Sequence, residues 1–174
     1  MRLPIIIFLS AIIVACCSRS LPMLEKAAAQ GDVDAQLHLA ERYFVGDRVP
    51  SDKSKAIFWF KAAASQGHQY GFYRLAQIYE FGQGANPDIQ LAAQYYEKAA
   101  RLNGADAQNS LARLHASGAL CEKDYRASYM WQLLAARHDG LMFEAGRFGA
   151  AQYLSEAQQQ EAKRAADNIA RGFR

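Results

Sequence analysis

At 174 residues, with 51% hydrophobic content, the chain is long enough for a single domain. Alanine makes up much of the apolar content, and only four prolines interrupt the chain, as suits closely packed helices. The net charge of +3 comes from 20 basic and 17 acidic residues whose signs alternate along the sequence, which argues against a nucleic-acid partner.

The amino terminus is typical of a secretory signal peptide. A single positive charge at Arg2 precedes an apolar run that ends at the small residue Ala15. The run is shorter than the roughly 20 apolar residues that span a bilayer, so a permanent transmembrane helix is the less favoured alternative. We therefore predict a signal peptide over residues 1–15.

The end of this segment, Ile-Val-Ala-Cys at residues 13–16, resembles the lipobox of bacterial lipoproteins. The resemblance implies cleavage before Cys16, lipidation of its thiol, and residues 16–23 as a tether. Cys17 follows where an aspartate is associated with inner-membrane retention, so the outer membrane, facing the periplasm, is favoured. The expected location is the bacterial cell envelope; ordinary signal cleavage nearby is the alternative.

The cysteines do not form a recognisable framework. If Cys16 is lipidated, Cys17 and Cys121 remain without a repeated spacing, which argues against a fold built on disulfides. A Cys17–Cys121 bridge stays open, and Cys121 is otherwise expected to pack as a small hydrophobic residue in a loop.

A motif recurs every 36 residues, which indicates a stack of similar units. Its period is marked by aromatic residues at Trp59, Tyr95 and Trp131. Further residues repeat at the same spacing: Leu39, Leu75 and Leu111; Gly46, Gly82 and Gly118; Asp52, Asp88 and Asp124; Ala63, Ala99 and Ala135.

Each unit is predicted to contain two helices. The glycine of each unit is expected to end a first helix, because glycine adopts the left-handed conformation without penalty. The aspartate is expected to begin a second helix by accepting hydrogen bonds from unpaired backbone N–H groups. Pro50 and Pro87 support the same boundary.

Read from Ala35 to Gly67, the unit resembles the Sel1-like repeat, a relative of the tetratricopeptide repeat. The resemblance implies an all-α, right-handed α-solenoid of antiparallel helix pairs within a domain of residues 24–174. Repeats are expected at 34–69, 70–105 and 106–141, followed by a capping region at 142–174. This sequence departs from the pattern at four positions, which are Arg48, His115, Leu120 and Gln132.

The carboxy-terminal region is predicted to close the stack. Residues 143–146 could begin another first helix. Ser155 and Gln158 have the spacing of a capping box, and a final helix with an apolar stripe should follow. The stripe consists of Ala162, Ala165, Ile169 and Phe173.

No catalytic constellation is found in the sequence. It has no His-Glu-x-x-His, Cys-x-x-Cys or Gly-x-Ser-x-Gly motif and no phosphate-binding glycine loop. The four histidines lack ligand spacing, and His115 is expected to fill a core position. We predict that the chain is not an enzyme and uses neither a metal nor a cofactor.

In such stacks the first helices are implied to line the concave side. Positions outside the periodic packing set are the candidate partner-binding residues: Glu41, Phe44, Tyr73, Gln77, Glu80, Phe81, Asn109 and Arg113. Two of them, Phe44 and Phe81, either form an apolar anchor or are buried between repeats.

Two functions are compatible with these features. The first is a lipid-anchored envelope adaptor that holds a protein or peptide on the concave face. The alternative is a modifier or inhibitor of a cell-wall glycan enzyme, or a cell-wall hydrolase itself. The adaptor is favoured because the repeats account for nearly every strongly patterned position.

We expect Cys16→Ser to abolish incorporation of a radioactive fatty acid, because the serine hydroxyl cannot replace the thiol in this modification. Labelling of the variant and the parent in growing cells measures this directly. A variant that is still labelled, cleaved and membrane-bound would contradict the assignment.

Overall fold

The computed structural model describes residues 20–138 and 149–173. Within these residues the chain is all-α. The principal helices are α1 (Leu21–Ala29), α2 (Val33–Val45), α3 (Lys53–Ser65), α4 (Gln69–Phe81), α5 (Ile89–Arg101), α6 (Ala105–Ser117), α7 (Tyr125–Ala135) and α8 (Glu156–Ala170).

The helix boundaries are those that the repeat predicts. The first helices α2, α4 and α6 end at Gly46, Gly82 and Gly118, whose φ values are 83°, 67° and 76°. Second helices α3, α5 and α7 begin after an aspartate whose carboxylate accepts a backbone N–H hydrogen bond at 3.0, 2.9 and 2.9 Å. The same local chemistry therefore builds each helix pair.

The loops between paired helices differ where the sequence departs from the repeat. In the second loop Gly84 has a φ of 96°, and the matching Arg48 of the first loop has 58° despite its side chain. In the described residues, positive φ outside glycine occurs only at Arg48 and Asn103, so Leu120 of the third loop does not adopt it. The third loop therefore differs from the first two in backbone conformation at this position.

Small residues let consecutive helices approach closely. Each first helix packs against the second helix of its own repeat and against the preceding second helix. A Cβ placed on Gly71 of α4 would lie 2.9 Å from the backbone nitrogen of Ala64 in α3. Gln36 and Gln108 each donate a hydrogen bond of 3.1 Å to the carbonyl oxygen of Ala28 or Ala100 on the preceding helix.

The final helix caps the stack, as predicted. Helix α8 packs on α7 and begins with a complete capping box between Ser155 and Gln158. Along its apolar stripe Ala162 is buried, and Ala165, Ile169 and Phe173 are partly buried. Ala166, which the stripe omitted, is also buried against the third repeat.

The amino-terminal boundary differs from the prediction. Helix α1 begins at Leu21, so residues 21–23 belong to the folded domain and the predicted tether of 16–23 is too long. The signal peptide, Cys16, Cys17 and residues 143–146 lie outside the described residues. No helix of the described ranges is long and apolar enough to cross a membrane.

The periodic aromatic positions are not equally buried. Trp131 is 5% exposed and lies in the core of the third repeat. Trp59 is only partly buried, since it packs at the margin of the first core cluster. The two tryptophans that mark the period therefore differ in burial, because only Trp131 lies within a core cluster.

We predict that Trp131→Ala lowers the free energy of unfolding by about 3–5 kcal/mol because it removes a large buried side chain. Trp59→Ala should have a smaller effect. Phe58→Ala is the matched control, because Phe58 is 61% exposed and its truncation should change stability by less than about 0.5 kcal/mol. Chemical denaturation of the three variants measures the order, and equal stability of Trp131→Ala and the parent would contradict the assigned packing.

Candidate functional site

The first helices of the first two repeats are joined by a polar network. Arg74 of α4 pairs with Glu41 of α2 through two hydrogen bonds, Nε to Oε1 at 2.7 Å and Nη2 to Oε2 at 3.2 Å. Tyr70 donates its hydroxyl to the same carboxylate at 2.9 Å. The guanidinium also donates to Gln77, which in turn donates to the Tyr73 hydroxyl at 3.0 Å.

Two aromatic rings pack against the arginine of this network. The Arg74 guanidinium lies 4.6 Å from the Phe44 ring centroid and 5.4 Å from that of Phe60. Lys53 also lies over the Phe44 ring and donates a hydrogen bond to the Phe44 carbonyl oxygen. Phe44 is 8% exposed and belongs to the first core cluster, so of its two predicted alternatives the structure supports burial between repeats.

Glu80 is the centre of a second connection between first helices. Its carboxylate accepts a hydrogen bond from the Tyr96 hydroxyl at 2.7 Å and pairs with Arg113 of α6. The Glu80 side chain is 6% exposed, whereas that of Arg113 is 54% exposed. Placing Glu80 among the positions unused by packing is therefore wrong, because it links α4, α5 and α6.

The other candidate residues remain at least partly accessible. Tyr73, Gln77 and Glu41 are half-buried members of the first network. Asn109 is exposed on α6, and Phe81 is 59% exposed at the end of α4. The structure thus divides the eight candidates into three groups. Phe44 and Glu80 take part in packing, Glu41, Tyr73 and Gln77 belong to the half-buried network, and Phe81, Asn109 and Arg113 are exposed.

Sequence periodicity did not identify Arg74, Tyr70 and Tyr96 as parts of the site. One signal was present: Glu41 and Arg74 are separated by 33 residues, as are Glu80 and Arg113. That spacing is three residues, or about one helical turn, shorter than the 36-residue period. Opposite charges at this spacing therefore meet across neighbouring first helices.

The hydrogen bonds to Glu41 and Glu80 favour the protonated form of the tyrosines that donate them. Burial, followed by the hydrogen bond to Glu41, raises the pKa of Tyr70 to about 12. Burial and the Glu80 carboxylate raise the pKa of Tyr96 in the same direction. Folding raises these pKa values and therefore favours the protonated tyrosines. The resulting stabilisation is complete below the ordinary tyrosine pKa of about 10 and is lost as the pH rises through the pKa values of the folded state.

A recess lies on the side of the second helices. Its volume is about 410 Å³, and its lining includes His115, Leu120, Met130, Trp131 and Ile169. His115 replaces the tyrosine of the first two repeats, so a smaller ring stands at this position. The expected core role is met in part, because His115 is half-buried and burial lowers its pKa.

The described residues do not group as a metal site. No set of three His, Cys, Asp or Glu side chains in these ranges is positioned to hold a metal ion. Cys121 is exposed and has no disulfide partner among the described residues, so its predicted packing as a buried hydrophobic residue is wrong.

The Sel1 repeat family profile matches residues 21–32, 33–68, 73–104 and 105–140, and the chain belongs to this family. The solved Sel1 repeat protein from Oxalobacter formigenes is similar in structure, with a TM-score of 0.68 and 31% identity. The match covers 76% of this chain and 99% of that one. The antigen c5321 of uropathogenic Escherichia coli shares the fold, with a TM-score of 0.65 and 24% identity over 88% of this chain and 41% of that chain.

Two curated relatives have names that describe a role. The ERAD-associated E3 ubiquitin-protein ligase component HRD3A of Arabidopsis thaliana is 28% identical over 67% of this chain. The chitin synthase regulator SKT5 of Saccharomyces cerevisiae is 35% identical over 48% of this chain. The matched segments are only 16% and 12% of those proteins, so the chain corresponds to a small part of each.

We predict that Glu80→Ala lowers the free energy of unfolding by about 2–3 kcal/mol, because the buried Tyr96 hydroxyl loses a charged acceptor. Arg113→Ala is the matched variant and should lose no more than about 1 kcal/mol, since the Arg113 side chain is mostly exposed. Urea denaturation of both variants tests this order. If both lose the same amount, Glu80 has no central role in joining the repeats.

Proposed function

We propose that the chain is a lipid-anchored adaptor of the bacterial cell envelope that binds a protein or peptide partner on its first-helix face, formed by α2, α4 and α6. The observation that carries the proposal is the pair of ionic links across these three helices, Glu41 to Arg74 and Glu80 to Arg113. They fix the helices as one preorganised surface, and preorganisation lowers the cost of binding.

The exposed side chains of this face are suited to binding a polypeptide. Tyr70 is 38% exposed and presents a ring whose orientation is held by the Glu41 carboxylate. Asn109 adds an exposed amide on the neighbouring α6. Aromatic rings and amides of restricted mobility contribute contact area and directed hydrogen bonds at little conformational cost.

The names of the relatives support a non-catalytic role. HRD3A is a ligase component and SKT5 is an enzyme regulator. The second name also favours a second candidate function, in which the partner is an enzyme that acts on a cell-wall glycan. Both candidates use the same face and differ in the identity of the protein bound there.

The lipid anchor is supported by the sequence at residues 13–16 and by the position of the first helix. Helix α1 begins at Leu21, five residues after Cys16. A short connection of this kind would hold the solenoid close to the membrane surface. Anchorage in the outer membrane, facing the periplasm, is part of the proposal.

Photo-crosslinking in intact cells tests the proposed face. We expect p-benzoyl-phenylalanine at Asn109 to give a discrete crosslinked protein, because this exposed position lies on the first-helix face. The matched control carries the same group at Gln94, which is exposed on the second helix α5. Mass spectrometry of the product separates an enzyme of glycan metabolism from another partner.

A product from Gln94 alone would move the binding site to the second helices. Equal products at both positions would show nonspecific proximity and contradict the proposed face. Loss of the Asn109 product in a Tyr70→Ala background would strengthen the assignment, because Tyr70 lies on the same face but on the neighbouring helix α4.

A further inference from the structure

Two exposed apolar side chains occupy matching positions at one edge of the stack. We call this the loop edge; it is formed by the loops at residues 46–52, 82–88 and 118–124. Val45 and Phe81 are the last residues of α2 and α4, lie 36 residues apart, and are 65% and 59% exposed. Neither belongs to a core cluster of the described residues.

The first two loops form a continuous surface at this edge. A Cβ on Gly84 of the second loop would lie 2.3 Å from the Cβ of Lys53, where the first loop ends and α3 begins. The second loop is therefore packed directly against the base of the first. Val45 and Phe81 each directly precede one of these two packed loops.

The chain enters the fold at the same edge. Leu21, the first residue of α1, lines a cavity of about 470 Å³ together with Val49 and Pro50 of the first loop. Cys16 precedes Leu21 by five residues, and five residues span at most about 18 Å. A lipid on Cys16 would thus hold the loop edge near the bilayer surface.

We propose that the loop edge rests on the phospholipid bilayer, with Val45 and Phe81 inserted at the headgroup boundary. This inference rests on the proposed lipid anchor at Cys16. Aromatic and aliphatic side chains gain free energy when they leave water for this boundary. Because the anchor converts the contact into an intramolecular one, two side chains with weak individual affinity suffice.

Apolar insertion, and not general charge attraction, carries this contact. The exposed charged residues of the loop edge are Arg48 and Lys123 on one side and Asp47, Asp88 and Glu122 on the other, so the edge has no excess of positive charge. We therefore expect the contact to form on uncharged phosphatidylcholine, without a requirement for anionic lipid. A protein partner or a second copy of the chain that covered the loop edge would exclude lipid from Val45 and Phe81.

The test uses the full chain with Cys17→Ser and Cys121→Ser, purified from membranes after cellular processing. A bimane fluorophore is attached at Asp47→Cys or at Gln83→Cys, two exposed loop positions that leave Val45 and Phe81 intact. The matched control is Ser65→Cys, exposed at the opposite end of α3. Each protein is reconstituted in phosphatidylcholine vesicles with or without brominated acyl chains.

We expect brominated lipid to quench the two loop labels several-fold more strongly than the Ser65→Cys label. Adding Val45→Ser and Phe81→Ser should remove this difference while the mass of the amino-terminal peptide still shows the lipid. Equal quenching at both edges of the lipidated protein, or quenching that survives the serine pair, would overturn insertion but leave the anchor intact.

Two further results separate the anchor from the edge. An amino-terminal mass without lipid would overturn the anchor and the membrane contact that depends on it. A loop label that is shielded from aqueous iodide but not quenched by brominated lipid would show that protein, and not lipid, covers the loop edge. This result would also overturn the inference.

Discussion

The close approach of each second helix to the next first helix is the contact on which the rest of the structure depends. Alanine and glycine make it possible, as shown by the lack of room for a Cβ between Gly71 and Ala64. Gln36 and Gln108 reinforce it by donating hydrogen bonds to carbonyl groups of the preceding helix. This spacing sets the distance between first helices, and only at that distance can Glu41 reach Arg74 and Glu80 reach Arg113.

The links between first helices show how structure and recognition share one surface. Glu80 is buried and serves the fold, while Arg113 at the other end of the pair is mostly exposed. Tyr70 similarly belongs to the Glu41 network and still presents part of its ring to solvent. A partner on this face would therefore meet side chains whose orientations are already fixed. Such a surface favours binding by shape and directed polar contacts, which agrees with the adaptor role proposed here.

The periodic elements of the fold could be predicted from sequence because they depend on local chemistry. Left-handed glycines and aspartate caps act within a few residues, so the same local rules apply in every repeat. Site residues were harder to place, since the repeat position says little about the direction of a long side chain. Phe44 and Val45 are adjacent, yet one is 8% and the other 65% exposed. The pairing of Glu80 likewise depends on residues from two other helices, which a 36-residue comparison does not bring together.

The stability of Gly71→Leu, compared with Gly149→Leu, tests most directly whether close helix approach holds the repeats together. A Cβ at Gly71 would meet backbone atoms at 2.9 and 3.1 Å, whereas a Cβ at Gly149 has no atom of the described residues within 4 Å. Overpacking of this kind typically costs about 1–3 kcal/mol, so denaturation of Gly71→Leu should show a clear loss of stability. Gly149→Leu should remain close to the parent. Parent-like stability of Gly71→Leu would contradict the account, because the repeats would then not depend on this contact.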